Sequence, residues 1–122
     1  MQEGAAVSRD PILNLSSPWT VEMRSGLFGR QKQLRTVAFY ASGAVVFDDG
    51  ERGEWTCAND CASWTTKRDD VALQYNAIVH ENSFGDRPHL TQGVVTRDRR
   101  GKYKRLFRPV IASFTAKGQD FD

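Results

Sequence analysis

Apolar and polar residues alternate in short runs along most of the chain, and residues typical of turns separate the runs. The longest run covers residues 71–79, where Val71, Leu73, Tyr75, Ala77 and Val79 occupy every second position. Side chains point to opposite faces at each step of a β-strand, so an alternation of this length predicts a strand with one buried face.

Similar but shorter runs predict the remaining strands. They cover residues 19–24, 34–40, 44–47, 53–57, 62–66, 90–97, 102–107 and 110–115. Turn residues such as Asp48-Asp49-Gly50 separate them, and no stretch has apolar residues at helical spacing over three turns. Eight or nine short strands joined by short turns indicate an all-β protein, an antiparallel up-and-down meander that forms a small closed or partly open barrel.

The chain of 122 residues has the length of a single domain. We expect an extended or disordered leader over 1–16, one barrel domain over 17–116 and a loose tail over 117–122. Large aromatic side chains are suited to fill so small a barrel. The predicted core residues are Trp19, Trp55, Trp64 and Tyr75.

Composition limits the classes of partner. Hydrophobic residues make up 39% of the chain and charged residues 26%, and the net charge is +2. No apolar run approaches the roughly 20 residues of a membrane span, so the chain is not expected to span a membrane. The first ten residues carry acids and lack the apolar region of a secretory signal, which predicts an intracellular protein.

The two cysteines could be joined by a disulfide or could both be free thiols, and the two histidines do not predict a metal site. Cys57 and Cys61 flank a predicted turn, which suits either a disulfide across the turn or two thiols at a hairpin. A zinc site needs further ligands, and His80 and His89 do not have the spacing of a zinc finger. No metal site is predicted.

Catalytic patterns are not recognisable in the sequence. The carboxylates fall mainly in predicted turns, where Asp bonds the local backbone. Gly26-Leu27-Phe28-Gly29 lacks the third glycine and the helix of a nucleotide-binding fingerprint. We therefore expect a protein without enzymatic activity and without a cofactor.

A basic cluster near the C-terminus is the most unusual local feature. It contains one acid, Asp98, and is interleaved with Tyr103 and Phe107. Cations interleaved with aromatic residues suit single-stranded nucleic acid. The alternatives are a hairpin with a solvated, charged outer face and a rim that meets an acidic partner protein. The predicted partner-binding residues are Arg97, Arg99, Arg100, Lys102, Lys104, Arg105, Phe107 and Arg108.

The region around Trp19 and Gly53-Glu54-Trp55, within a meander of short hairpins, resembles the calycin-type barrels, which include lipocalins, fatty-acid-binding proteins and avidins. The segments 82–88, 93–99 and 106–110 are similar to small lipocalin-like domains of the organelles of algae and plants. The resemblance implies a lipocalin-like barrel. It also implies chloroplast or mitochondrion as the compartment, after removal of a targeting segment.

Three functions follow as expectations. The first is a non-catalytic interaction module, an accessory subunit of a larger protein assembly. The second is a lipocalin-like carrier of a small apolar ligand, with Trp19, Trp55, Trp64 and Tyr75 lining the pocket. The third is single-stranded nucleic-acid binding through the basic hairpin over 97–108.

Overall fold

The structure, a computed structural model, describes residue 13 and residues 18–68, 71–80, 88–98 and 110–118. Eight antiparallel strands follow one another around a closed barrel, and the last pairs with the first. The strands are β1 (Trp19–Ser25), β2 (Gln31–Phe39), β3 (Ala44–Phe47), β4 (Arg52–Ala58), β5 (Cys61–Arg68), β6 (Val71–His80), β7 (His89–Asp98) and β8 (Val110–Gly118). The prediction of an all-β up-and-down meander is confirmed, and the barrel is closed.

Apolar residues that alternate with polar ones in the sequence lie on the inner face of the barrel strands, and the residues between them lie on the outer face. Along β6, Tyr75, Ala77 and Val79 are buried, while Ile78 and His80 between and after them are exposed. The barrel closes because β1 pairs with β2 on one side and with β8 on the other. Closure gives each strand a neighbour on both sides, which removes the two outermost edges that an open sheet has.

Aromatic side chains fill the interior. The predicted core residues Trp19, Trp55, Trp64 and Tyr75 are all at most 1% exposed, which confirms that prediction. Phe39 lies at their centre and makes edge contacts with all three tryptophans, with ring centroids 5.1–6.2 Å apart. Trp64 in turn stacks on Tyr75 at 5.2 Å.

Two strands extend beyond the residues that the pattern predicts. β2 begins at Gln31 rather than at Leu34, and β8 continues to Gly118, past the predicted boundary of the tail. Both extensions pair with β1, Gln31 with Ser25 and Gly118 with Trp19. Backbone pairing does not require an apolar side chain, so the hydrophobic pattern alone did not reveal them. The predicted run 102–107 lies outside the described residues.

The two ends of the barrel differ. At the Leu13 end, Leu13 is fully buried and its carbonyl oxygen accepts a hydrogen bond from Trp19 Nε1 at 2.9 Å. At the opposite end, which we call the Arg35 end, β1 leads into β2 and β3 leads into β4. β7 also ends there and β8 begins there. In the described part of the chain, no helix is long and apolar enough to cross a membrane.

Candidate functional site

A buried arginine distinguishes the Arg35 end. Arg35 lies on the inner face of β2, two positions before Val37, and is 6% exposed. Its Nη2 donates to both carboxylate oxygens of Asp49 at 2.8 Å and to Glu51 Oε1 at 2.9 Å. Both acids belong to the connection between β3 and β4. The ion pairs therefore tie this connection to the barrel interior.

Two hydroxyl groups complete the network. Tyr75 donates to Glu51 Oε2 at 2.7 Å, and the hydroxyl of Thr66 donates to the same oxygen. The guanidinium carbon of Arg35 lies 3.9 Å from the centre of the Phe47 ring, a distance suited to a cation–π contact. Buried charges need such partners, because an unpaired charge in the interior is strongly destabilising.

The network favours fixed protonation states. Burial raises the pKa of Tyr75, and its hydrogen bond to Glu51 raises it further. Burial acts to lower the pKa of Arg35, but the hydrogen bond and charge of Glu51, together with Tyr75 and Asp49, outweigh it and leave that pKa above its usual value. Near neutral pH, Arg35 is therefore a cation and Tyr75 a neutral phenol. The contacts of Arg35 and Tyr75 thus link β2 and β6 to the connection between β3 and β4.

Exposed apolar side chains form a rim at the same end. The apolar rim consists of Leu27, which is 75% exposed in the 3-10 turn after β1, and of Val110 and Ile111 at the start of β8. Ser25 at the end of β1 pairs with Ala112, so these residues flank one corner of the barrel. Exposed apolar residues grouped in this way mark interaction surfaces more often than scattered ones do.

Exposed cations surround the Arg35 end. This cation rim comprises Arg24, Arg30, Lys32, Arg52, Lys67 and Arg97. Arg24 and Lys32 both contact Glu22, at 3.1 and 3.4 Å. The hydrogen bond from Arg24, to which Lys32 adds, lowers the pKa of Glu22. Among the described side chains, the exposed cation at the opposite end is Lys117.

Two cations of the rim face each other directly. Arg52 on β4 pairs in register with Lys67 on β5, and both side chains are exposed. Like charges opposite one another across a sheet are destabilising. The pair lines a groove of about 460 Å³ between β4, β5 and β6, with Glu54, Thr65 and Gln74.

The predicted partner-binding residues lie partly within the described chain. Arg97 is exposed near the end of β7, and it pairs with Leu73 at the Arg35 end. The others, Arg99, Arg100, Lys102, Lys104, Arg105, Phe107 and Arg108, lie outside the described residues. The segment that carries them connects Asp98 to Val110, and both of these described residues are at the Arg35 end.

The residues predicted to line a ligand pocket are parts of the packed core. Trp19, Trp55, Trp64 and Tyr75 contact one another or Phe39 ring against ring. The indole of Trp55 is oriented by a hydrogen bond from its Nε1 to the Tyr40 carbonyl oxygen at 2.8 Å. The sequence had not marked Phe39 as the residue on which the three indoles converge.

The two cysteines are not joined by a disulfide. Cys57 is buried on the inner face of β4 and Cys61 is exposed on β5. The register pairs Cys57 with Ala62 and Ala58 with Cys61, so the thiols lie on opposite faces of the hairpin. The sequence left open a disulfide across the turn or two thiols at a hairpin, and the structure has the two thiols.

The buried network was not predicted, although the sequence carries a signal for it. Arg35, Val37 and Phe39 share one face of the predicted strand, so the alternation places a cation among core positions. A buried cation requires an acid, and the carboxylates available in the nearest turn are Asp48, Asp49 and Glu51. The aspartates had been interpreted as turn residues that bond the local backbone, so no ion pair with Arg35 was predicted.

Comparison with protein-family models, with curated proteins and with solved structures finds no match.

Proposed function

We propose that the protein is a non-catalytic interaction module, an accessory subunit that docks on an acidic surface of a larger protein through the Arg35 end of its barrel. The observation that carries the proposal is the grouping at this end of the apolar rim, the cation rim and both described ends of the basic segment. Apolar side chains supply contact area, while surrounding charges select the partner and its orientation.

The Arg52–Lys67 pair supports an acidic partner in particular. A like-charged pair directly across two strands weakens the isolated barrel. An anionic group placed between the two cations removes this repulsion and converts it into attraction. Replacing Arg52 or Lys67 by an acid should therefore stabilise the fold and weaken binding of an acidic partner.

The substitution Arg52→Glu tests this proposal. It creates a Glu–Lys pair across β4 and β5, and we expect it to raise the unfolding free energy by about 0.2–1 kcal/mol. The same change is expected to reduce at least tenfold the amount of partner retained from native extract of the source. Urea denaturation measures the first effect, and quantitative affinity purification measures the second.

Two further variants make the test specific. Leu27→Ser combined with Val110→Ser removes apolar area from the rim and is expected to reduce partner retention while leaving the barrel folded. Lys117→Glu reverses an exposed cation at the Leu13 end and is the matched control, with unchanged retention expected. Equal retention by all variants would contradict docking at the Arg35 end.

Binding of single-stranded nucleic acid is the alternative that the cation rim also favours. Each phosphate contact releases counterions, so the affinity of such a complex falls steeply with salt. Resistance of the isolated complex to nuclease separates the two proposals. The carrier alternative has weaker support, because an apolar ligand among Trp19, Trp64 and Tyr75 would have to separate rings that now contact other rings.

A further inference from the structure

The two histidines of the chain face each other on the outer surface at the Leu13 end. His80, the last residue of β6, pairs in register with His89, the first residue of β7. Their imidazole rings are nearly parallel, with 13° between the planes and 5.0 Å between the centroids. The intervening segment separates them by nine positions in the sequence, and the antiparallel pairing of the strands brings them together.

Thr91 orients one of the rings. Its hydroxyl oxygen lies 2.7 Å from Nε2 of His80, a hydrogen-bond distance. Among the described residues, this contact engages Nε2 and leaves Nδ1 of His80 for another partner. Histidines that bind metals characteristically have one ring nitrogen held by a hydrogen bond and the other directed at the metal.

We infer that His80 and His89 form a two-imidazole site for a divalent transition-metal ion of the Zn²⁺ or Cu²⁺ class, with water in the remaining coordination positions. Imidazole nitrogen is a favoured ligand of these ions. At zinc–nitrogen distances of about 2.0–2.1 Å, tetrahedral geometry requires the two nitrogens to lie roughly 3.3 Å apart. The rings are stacked with centroids 5.0 Å apart, and their nitrogen lone pairs lie in the ring planes. Binding of the ion therefore requires the His89 ring to rotate about its side-chain bonds, while Thr91 holds His80.

The neighbouring residues define the limits of the site. Lys117 on β8 pairs with His89 and repels a cation, which weakens the site. Cys61 on β5 is exposed and pairs with Ile78, two positions before His80. Within the described ranges, no group of three or more His, Cys, Asp or Glu residues is arranged to hold a metal ion. The inferred site is therefore a two-ligand site.

Zinc titration tests the inference with the full chain. The background is Cys61→Ser, so that the exposed thiol does not bind the ion. We expect saturable binding of one Zn²⁺ per chain by calorimetry, with imidazole NMR signals shifting in step. Because the chain contains two histidines, these signals report on the pair alone. His80→Ala and His89→Ala are each expected to weaken binding at least tenfold.

Thermal unfolding provides a second readout. Since the site depends on the pairing of β6 with β7, Zn²⁺ is expected to bind the folded state and raise the melting temperature. Neither single alanine variant should show this increase, although both should remain folded because the side chains lie on the outer surface. Zinc affinity that is unchanged in both alanine variants would overturn the inference, as would the lack of saturable binding by the Cys61→Ser protein.

Discussion

Individual side chains at the Arg35 end combine a charged network with an apolar core. Arg35 reaches Asp49 and Glu51, and Glu51 in turn accepts from Tyr75. The ring of Tyr75 stacks on Trp64, so one residue belongs to both the network and the core. The stability of the core therefore depends on the protonation state of a group inside it.

Alkaline titration tests this dependence at Tyr75. Folding raises the pKa of Tyr75 above its unfolded value of about 10, so its contribution to stability is complete below that pH. The contribution is lost as the pH rises through the folded-state pKa. Absorbance at alkaline pH should show one tyrosine of the three ionising only as the barrel unfolds. Tyr75→Phe should remove this late step, and its persistence in that variant would assign it to another tyrosine.

The ion pairs of Arg35 are expected to contribute to the unfolding free energy, which two variants can measure. Arg35→Met leaves the buried Glu51 carboxylate without its cation, and we expect a loss of about 3–5 kcal/mol in unfolding free energy. The double variant Arg35→Met with Glu51→Met removes both charges and should recover part of that loss, because Tyr75 and Thr66 then lack the oxygen to which they donate. Urea denaturation of the two proteins measures the difference. Equal destabilisation of both would show that Glu51 is not the group that requires Arg35.

At the scale of strands, a close approach of two backbones depends on one glycine. A Cβ atom added to Gly53 on β4 would lie 1.8 Å from the carbonyl oxygen of Thr65 on β5. This separation is far inside van der Waals contact, and a backbone atom cannot turn away as a flexible side chain can. Residue 53 therefore limits how closely β4 and β5 pack.

The substitution Gly53→Ala measures that constraint. The added methyl group must push the two strands apart, and we expect destabilisation of about 1–3 kcal/mol, as for other overpacked sites. The midpoint of urea unfolding should fall without a change in slope. An unchanged midpoint would mean that β4 and β5 pack less closely than the structure shows.

The sequence predicted strands well where the inner and outer faces differ in polarity. β6 has apolar residues at alternate positions and was predicted almost to its ends. The first residues of β2, from Gln31 to Gln33, are exposed and polar, so only their pairing with β1 identifies them as strand. The closure of the barrel likewise rests on the pairing of β1 with β8, which no local pattern records.

At the scale of the whole molecule, charge is distributed unevenly. Residues 97–108 carry seven cations and one acid, so this segment has a net charge of +6 and the rest of the chain a net charge of −4. The described ends of the segment lie at the Arg35 end, beside the cation rim. A field of this kind would steer the acidic partner that we propose toward one end of the barrel.

The candidate site could be predicted only in part from the sequence. The basic cluster is contiguous, so composition alone reveals it. The apolar rim combines Leu27 with Val110 and Ile111, residues more than eighty positions apart that lie at the same corner only because β1 pairs with β8. The facing of Arg52 and Lys67 depends on the register of the β4–β5 hairpin, which the hydrophobic pattern does not determine to a single residue.

Native mass spectrometry of the protein, isolated gently from its source, decides whether it is an accessory subunit of a larger assembly. We expect a stable mass equal to the chain plus one or more polypeptides, and loss of those polypeptides with Arg52→Glu. A mass equal to the chain alone would contradict docking on a larger protein. So would a mass equal to the chain plus a ligand of a few hundred daltons, which would indicate a carrier with an occupied interior.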